Sequence, residues 1–278
     1  MTLVVHPRAV VTGAGSGLGR AFCIELSRRG ARVVGADVRE EGLKETAALM
    51  PGAPMETFVC DVSKRESVDA LERFAQEKMG GVDLLINNAG VAVAGEMGTV
   101  SGEDWAWIVG VNLLGVAHGC EAFIPGMRRQ GSGHVINVAS LAGIACAPTM
   151  APYNATKAAV IAISETLAGE LEGTGVGVTV LCPSFFPTNI LADSRGSDTK
   201  ARGMAEKMMA KSKWTAEDVA RMTLDDAAAG QLYVLPHAEG RLLWWVKRSA
   251  PQAFHHGAAT VLAKLQKRMA RWRFWGRG

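Results

Sequence analysis

The sequence predicts an α/β fold in which helices cover both faces of a doubly wound parallel sheet. Short apolar runs rich in β-branched residues alternate with segments of helical periodicity from residue 8 to about residue 236. A glycine-rich turn joins the first strand directly to the first helix, and polar residues follow several later strands. Ligands of open α/β sheets bind at the carboxyl ends of the strands, so the same pattern predicts a binding site there.

The first strand and its turn form a candidate phosphate-binding segment. Arg8 to Thr12 is followed by Gly13-Ala14-Gly15-Ser16-Gly17-Leu18-Gly19 and then by an amphipathic run to Arg29. Glycines let the backbone approach a pyrophosphate, and the first amides of a helix favour its negative charge. We therefore expect a dinucleotide at Gly13, Ser16, Gly17, Leu18 and Gly19. A tight connection without a ligand would explain the glycines equally well.

The second strand, from Ala31 to Ala36, ends at Asp37, about twenty residues beyond the glycines. A carboxylate at this position accepts hydrogen bonds from the adenosine ribose and repels a 2′-phosphate, which favours NAD over NADP. NADP stays possible because Arg39 could reach a phosphate. Alternatively, Asp37 only caps the helix predicted near Glu40.

Two further strands end in polar residues. Glu56 to Cys60 leads into Asp61 and Val62, and Ser63 to Glu66 matches a capping box for the next helix. Val82 to Ile86 leads into Asn87-Asn88-Ala89-Gly90, whose small and polar residues suit a turn close to a ligand.

A tyrosine and a lysine four positions apart provide a candidate acid/base. Tyr153 and Lys157 share one helix face, so the ammonium group can favour the phenolate and lower the tyrosine pKa from roughly 10. A tyrosine with a lowered pKa exchanges protons more readily near neutral pH. Ser140 follows the apolar strand Gly133 to Ala139 and is therefore expected at the ligand-binding edge of the sheet.

Taken together, these motifs resemble the short-chain dehydrogenase/reductase family in order and separation. The matching residues are Thr12-Gly13-x-x-x-Gly17-x-Gly19, Asp61-Val62, Asn87-Asn88-Ala89-Gly90, Asn112, Ser140 and Tyr153-x-x-x-Lys157. The resemblance covers residues 8 to about 190 and extends toward Pro236. It implies a single Rossmann-type domain with a seven-stranded parallel sheet, and hydride transfer between a nicotinamide cofactor and a hydroxyl or carbonyl group.

The resemblance also implies a role for each matching residue. Tyr153 would be the catalytic acid/base, Ser140 would hold the substrate oxygen, and Lys157 would bind the nicotinamide ribose and lower the tyrosine pKa. Asn112 would anchor a water that links Lys157 to solvent, although a polar residue satisfied inside a helix explains it as well. Further cofactor contacts would come from Asp61, Val62, Asn88, Ala89, Gly90, Pro183 and Thr188. The family usually has glycine where this chain has Ser184, so a different backbone is expected beside the nicotinamide.

Residues 189–213 are polar, bear several methionines and are interrupted by glycine, which indicates a mobile lid over the substrate. The substrate pocket is expected to be apolar. Its predicted walls are Val91, Val93, Leu141, Ile144, Met150, Phe185 and Phe186, with Met204, Met208 and Met209 from the lid. Several of these residues could equally be ordinary core.

Charge divides the chain into residues 1–240, the predicted catalytic domain, and a basic helical extension over 241–278. Nine of the 30 Lys and Arg residues follow residue 240, and no Asp or Glu does. Residues 1–240 therefore carry 21 basic and 27 acidic side chains, a net charge of −6. The extension places Trp244, Trp245, Leu262, Leu265, Met269 and Trp272 at apolar positions. We expect it to pack on the body or on a neighbouring subunit, with an anionic membrane surface as the alternative.

Composition limits the classes of protein that the chain can be. Hydrophobic residues make up 48%, enough for a large core, and the apolar stretches are shorter than the ~20 residues that cross a bilayer. Together with an N-terminus that lacks a signal-peptide pattern, this predicts a cytoplasmic protein. The five cysteines have neither zinc-site nor disulfide spacing, so they are expected to be small core residues and no metal is expected.

The sequence thus favours an NAD-dependent alcohol dehydrogenase or ketone reductase that acts on a hydrophobic secondary alcohol as a homodimer or homotetramer. Two alternatives are a nicotinamide-binding regulator without useful turnover and a membrane-surface protein that acts through its tail. Nucleic acid is not an expected partner, because the body of the chain is acidic.

Overall fold

The computed structural model describes residues 7–192, 194–196 and 198–257, in which seven strands form one parallel sheet of order β3-β2-β1-β4-β5-β6-β7. The strands are β1 (Arg8–Thr12), β2 (Arg32–Asp37), β3 (Glu56–Val59), β4 (Leu84–Asn87), β5 (Gly133–Val138), β6 (Val176–Leu181) and β7 (Tyr233–Val234). The strand order reverses between β1 and β4, which opens a crevice at their carboxyl ends. The predicted seven-stranded, doubly wound single domain is confirmed.

Helices cover both faces of this sheet, and each face has its own hydrophobic core. Adjacent residues of β1 contribute to opposite cores: Val10 packs on the side of α3, α5 and α7, and Val11 on the side of α1, α2 and α9. The helices of the described residues are α1 (Gly17–Arg28), α2 (Glu40–Ala48), α3 (Arg65–Met79), α4 (Gly102–Val109), α5 (Gly115–Gln130), α6 (Leu141–Ala145), α7 (Ala151–Glu170), α8 (Thr199–Lys211), α9 (Ala216–Ala228) and α10 (Ala238–Ser249).

The capping box predicted at Ser63 is wrong. Helix α3 begins at Arg65, one residue later than that pattern requires, so Lys64 is its N-cap and makes no side-chain capping bond. The Ser63 hydroxyl instead donates to the Asp61 carboxylate at 2.7 Å.

Helices α4 and α5 are joined by a π-helical turn, Gly110–Leu114, into one helical run from Gly102 to Gln130. This run is long and apolar enough to cross a membrane, although part of it is buried against the rest of the domain, where it contacts α3, α7 and the sheet. The widened turn contains Asn112, whose side chain is fully buried.

The C-terminal extension begins as α10, three residues before the predicted boundary, and residues 251–257 are helical as well. Trp244 packs on Tyr233 with ring centres 5.4 Å apart, and the Lys247 ammonium donates to the Ile144 carbonyl at 2.5 Å. Trp245, in contrast, is 62% exposed. Four residues of the predicted amphipathic pattern lie outside the described residues: Leu262, Leu265, Met269 and Trp272.

Four of the five cysteines are buried, as expected. Cys146 is the exception, because it ends the short helix α6 in a left-handed conformation and is exposed.

Candidate active site

A cavity of about 650 Å³ opens at the carboxyl ends of the strands. It is bounded by the turn after β1, the ends of β2, β4 and β5, the start of α7 and the segment after β6. The predicted site residues line it with six exceptions. These exceptions are Gly19, Val93, Asn112, Ile144, Met204 and Met208.

The glycine turn after β1 has the backbone that a phosphate-binding turn requires. Gly13 and Gly17 adopt φ of 66° and 51°, a left-handed region that disfavours other residues. Gly19 supports the turn from behind, since a Cβ atom there would lie 2.0 Å from the Gly13 carbonyl oxygen. The Asn88 amide donates to the Thr12 carbonyl at 2.8 Å, which ties the end of β4 to this turn.

The Asp37 carboxylate at the end of β2 is buried and already holds two backbone amides. It accepts hydrogen bonds from Gly15 N at 2.9 Å and Arg39 N at 3.0 Å. Arg39 is the N-cap of α2 and makes no side-chain capping bond to that helix; its guanidinium instead donates to the Ser16 hydroxyl at 3.2 Å. This end of the cavity therefore offers a fixed carboxylate beside a half-exposed guanidinium.

The next part of the wall consists of Asp61 and Val62, which follow the third strand and line the cavity together with Asn88, Ala89 and Gly90. Val62 is held from below by the close approach of α5: a Cβ atom on Gly115 would lie 2.8 Å from its Cγ2 atom. Small residues at Ala89 and Gly90 leave the floor of the cavity open.

Ser140, Tyr153 and Lys157 meet between β5 and α7. Ser140 is the N-cap of α6, where its hydroxyl accepts from Ala142 N at 3.1 Å. Tyr153 lies in the first turn of α7, and Lys157 lies one turn further along the same face. The Lys157 ammonium is 5.9 Å from the centre of the Tyr153 ring.

Burial governs the ionisation of this group. It raises the pKa of Tyr153 above its usual value, an effect opposed by a hydrogen bond with Ser140. Burial lowers the pKa of Lys157 to about 8, so the ammonium is charged at neutral pH. The expected lowering of the Tyr153 pKa by Lys157 is therefore wrong for the protein by itself, because loss of water around the phenol dominates.

Asn112 lies behind the cavity and does not line it. Its side-chain oxygen accepts from Val91 N at 2.8 Å, and its amide donates to Val91 O at 2.9 Å. The side-chain oxygen and nitrogen of Asn112 thus both bond to the backbone of Val91, which follows β4. A Cβ atom on Gly90 would lie 3.4 Å from both Asn112 Oδ1 and Lys157 Nζ, so Gly90 lies beside both side chains. The water that Asn112 was expected to anchor stays a prediction.

The substrate end of the cavity is apolar, as predicted, with some changes in its walls. Val93 is fully buried in a cluster with Ile108 and Tyr153, its backbone pairs with Arg195, and its side chain does not line the cavity. Met204 and Met208 are 61% and 42% exposed on α8, and Met209 alone of the three methionines lines the cavity. The observed apolar walls include Val91, Trp107, Leu141, Met150, Phe185, Phe186, Ile190, Leu191, Ala205 and Met209.

Sequence reasoning missed four of these wall residues: Trp107, Ile190, Leu191 and Ala205. Ile190 and Leu191 directly follow the predicted cofactor residue Thr188, which is a signal that could have found them. Trp107 gives no such signal, since only the packing of α4 against α7 brings it to the cavity. Within the described residues that line this end, Lys157 is the only charged side chain.

The residues present fit a nicotinamide dinucleotide. The glycine turn would hold the pyrophosphate, Asp37 the adenosine ribose, and Pro183 and Thr188 the nicotinamide beside Tyr153 and Lys157. The turn after β1 carries this fit, because Gly13 and Gly17 hold the left-handed φ of a phosphate-binding turn and the Asp37 carboxylate lines the cavity beside them.

Comparisons with known proteins agree with this geometry. The family model described as short chain dehydrogenase matches residues 7–198. An uncharacterized oxidoreductase of Staphylococcus aureus (strain MRSA252) is 38% identical over 200 residues, which are 72% of this chain and 87% of that protein. The probable oxidoreductase EphD of Mycobacterium tuberculosis (strain ATCC 25618 / H37Rv) is 35% identical over 260 residues, or 89% of this chain, which spans only 44% of that relative.

Among solved structures, a short chain dehydrogenase/reductase from Burkholderia phymatum in complex with NAD superposes with a TM-score of 0.84 at 36% identity. The match covers 88% of this chain and 94% of that one. The matched sequence, the strand order and the cavity residues lead to one assignment: the chain belongs to the short-chain dehydrogenase/reductase family of oxidoreductases.

Proposed function

We propose that the protein transfers a hydride between NAD and the carbinol or carbonyl carbon of a hydrophobic secondary alcohol or ketone. The observation that carries this proposal is the meeting of Ser140, Tyr153 and Lys157 at one end of a cavity whose other walls there are apolar. An apolar wall favours a neutral substrate, because a charged group would lose its water without gaining a partner.

The side chains have distinct tasks in this proposal. Tyr153 exchanges a proton with the substrate oxygen, and Ser140 holds that oxygen by a hydrogen bond. Lys157 contributes a positive charge beside the phenol and a donor for the nicotinamide ribose. When bound, the nicotinamide would supply the hydride acceptor or donor.

The raised pKa of Tyr153 bears on the direction of the reaction. A buried phenol that keeps its proton is ready to protonate the oxygen of a ketone as the hydride arrives. Alcohol oxidation needs the phenolate, so we expect it to gain rate toward alkaline pH while ketone reduction does not.

NAD is the proposed cofactor because the Asp37 carboxylate stands at the ribose end of the cavity and would repel a 2′-phosphate. Use of NADP is the second candidate, supported by the Arg39 guanidinium, which lines the same end.

We further propose that the active species is a homodimer or homotetramer, to be checked by light scattering. The long helices α5 and α7 support this, because each presents uncovered residues. On α7 these include Ala155 and Ala162, and on α5 they include Glu121 and Pro125.

A panel of secondary alcohols and ketones, followed by nicotinamide absorbance with NAD and NADP in parallel, tests the proposed function. Turnover of apolar substrates with NAD is the expected result. Tight NADH binding without turnover of any member of a broad panel would favour a nicotinamide-binding regulator.

A further inference from the structure

The segment that follows β6 lines one end of the cavity, and hydrogen bonds of its backbone hold it in place. Residues 183–188, here called the β6 loop, contribute Pro183, Ser184, Phe185, Phe186 and Thr188 to the cavity wall. Its start is fixed by two ordinary backbone bonds. Cys182 N donates to Val234 O at 2.9 Å, and Leu141 N donates to Pro183 O at 2.9 Å.

The third bond of this loop is to a side chain. The backbone N–H of Ser184 donates to His237 Nδ1 at 3.1 Å. Ser184 does not adopt a positive φ, so the loop here does not need the glycine that the family usually has. What the loop does need at this position is an acceptor for the amide, and His237 provides it.

His237 is itself held from several sides. It is only 4% exposed, and its ring lies near those of Trp214 and Phe186, at centroid distances of 5.3 and 6.4 Å. Its carbonyl oxygen accepts from Gly240 N and Arg241 N in the first turn of α10, at 3.0 and 3.2 Å. One residue therefore joins the β6 loop to the start of the C-terminal helix.

The geometry also fixes the form of the imidazole. An atom that accepts a hydrogen bond from an amide carries no proton, so the hydrogen of the neutral ring lies on Nε2, which is buried without a hydrogen-bond partner among the described residues. Burial lowers the pKa of His237 and keeps the ring neutral near pH 7. The charged groups that act on it are Glu239 and Arg241 on α10. The β6 loop presents the backbone of Phe185, which raises the pKa, and the ring of Phe186, and the segment before α9 presents the ring of Trp214.

We propose that His237 is a positioning residue for the cofactor: its Nδ1 atom holds the β6 loop in the conformation that receives the nicotinamide end of the dinucleotide. The inference rests on the proposed function only in naming a nicotinamide dinucleotide as the ligand. Protonation of Nδ1 turns the acceptor into a donor that faces the Ser184 amide, so the loop loses this anchor in acid.

Two substitutions distinguish the role of the Nδ1 acceptor from that of the aromatic ring. His237→Phe keeps an aromatic ring between Trp214 and Phe186 but removes the acceptor. His237→Asn keeps an oxygen close to the position of Nδ1. With one net hydrogen bond at stake, we expect His237→Phe to weaken NADH binding about tenfold, measured by NADH fluorescence, and His237→Asn to restore most of the affinity.

The pH dependence of NADH affinity distinguishes this role from a purely structural one. NADH affinity of the native protein should fall with the uptake of one proton as the pH drops below about 6.5, and His237→Asn should lack that dependence. His134→Gln is the matched control, because His134 is also buried but lies at the opposite end of the sheet, at the start of β5. It should leave NADH affinity unchanged.

Equal NADH affinity in His237→Phe and the native protein would overturn the proposal. So would equal losses of affinity and melting temperature in the Phe and Asn variants, which would indicate only a packing role. If the variants do not fold, nitrogen NMR of the native imidazole decides, since a proton on Nδ1 near neutral pH contradicts the bond. The readout is NADH affinity, so failure to turn over any alcohol would refute the proposed reaction and not this inference.

Discussion

The ammonium nitrogen of Lys157 donates a hydrogen bond of 2.8 Å to the backbone carbonyl oxygen of Val138. Val138 ends β5 two residues before Ser140, so this bond fixes α7 against the strand that leads to Ser140. The lysine is thereby held at one wall of the cavity while its charge stays close to the Tyr153 ring. The position of Lys157 beside Tyr153 thus depends on the packing of α7 against β5.

Replacement of Tyr153 tests the proposed acid/base directly. Tyr153→Phe removes the exchangeable proton and little volume, so turnover should fall at least about a hundredfold while NADH affinity is largely kept. Steady-state kinetics and NADH fluorescence measure the two quantities. The chain has two tyrosines, and Tyr233→Phe is the control, because Tyr233 bonds to Glu165 and does not line the cavity. Near-normal turnover of Tyr153→Phe would contradict the assignment.

Replacement of Asp37 should change the preference for NAD over NADP. Asp37→Ala removes the negative charge that opposes a 2′-phosphate, so the preference for NAD over NADP, measured as the ratio of kcat/KM values, should narrow. The substitution also removes the acceptor for Gly15 N and Arg39 N. Asp37→Asn controls for this loss, since it keeps an acceptor and removes only the charge. A native enzyme that prefers NADP would show that Arg39 dominates this end of the cavity.

Acid should destabilise the fold through His134. Its imidazole is buried at the start of β5, bonds to the Thr179 hydroxyl at 2.9 Å, and has its pKa lowered to about 4 by burial. In the unfolded chain the pKa is about 6.5, so between these values only the unfolded state binds the proton. Stability is therefore complete above about pH 6.5 and declines toward pH 4, by up to about 3 kcal/mol.

Urea unfolding across this range measures the effect, with His134→Gln as the comparison. The Gln variant should lose most of the slope of stability against pH; a smaller slope should persist from His237, whose pKa burial also lowers. An unchanged slope in the variant would assign the acid sensitivity to other groups.

Two truncations, after Gly240 and after Gly257, remove different lengths of the C-terminal extension. Truncation after Gly240 removes Leu243 and Trp244, which pack on the core, and the Lys247 bond to Ile144. We expect it to lower stability by about 2–4 kcal/mol and to reduce the melting temperature. Truncation after Gly257 keeps these contacts, so the difference in stability between the two truncated proteins measures their contribution. Equal stability of both truncated proteins and the full chain would refute the packing role.

The same pair of truncations tests the membrane alternative. Six of the nine basic residues after Gly240 follow Gly257. Binding of the full chain to anionic vesicles, lost on truncation after Gly257 and at high salt, would assign this segment to a membrane surface.

The sequence by itself determined the elements that depend on local pattern and spacing. The alternation of strands and helices, the glycine turn at Gly13 to Gly19, and the placement of Tyr153 and Lys157 on one helix face all follow from short-range backbone geometry. The carboxyl ends of parallel strands meet at one edge of the sheet. The positions of Asp37, Asn88 and Ser140 at or after strand ends therefore predicted that they line the same cavity.

Tertiary structure decided whatever depends on burial and on contacts distant in sequence. The pKa of Tyr153 is raised because α7 packs its phenol out of water, an effect that the spacing to Lys157 does not contain. Asn112 on the π-helical turn bonds to Val91, the pairing of Val93 with Arg195 keeps Val93 out of the cavity wall, and the packing of α4 brings Trp107 into it. His237 reaches Ser184 across 53 residues of sequence, since β6 and β7 are neighbours only in the folded sheet.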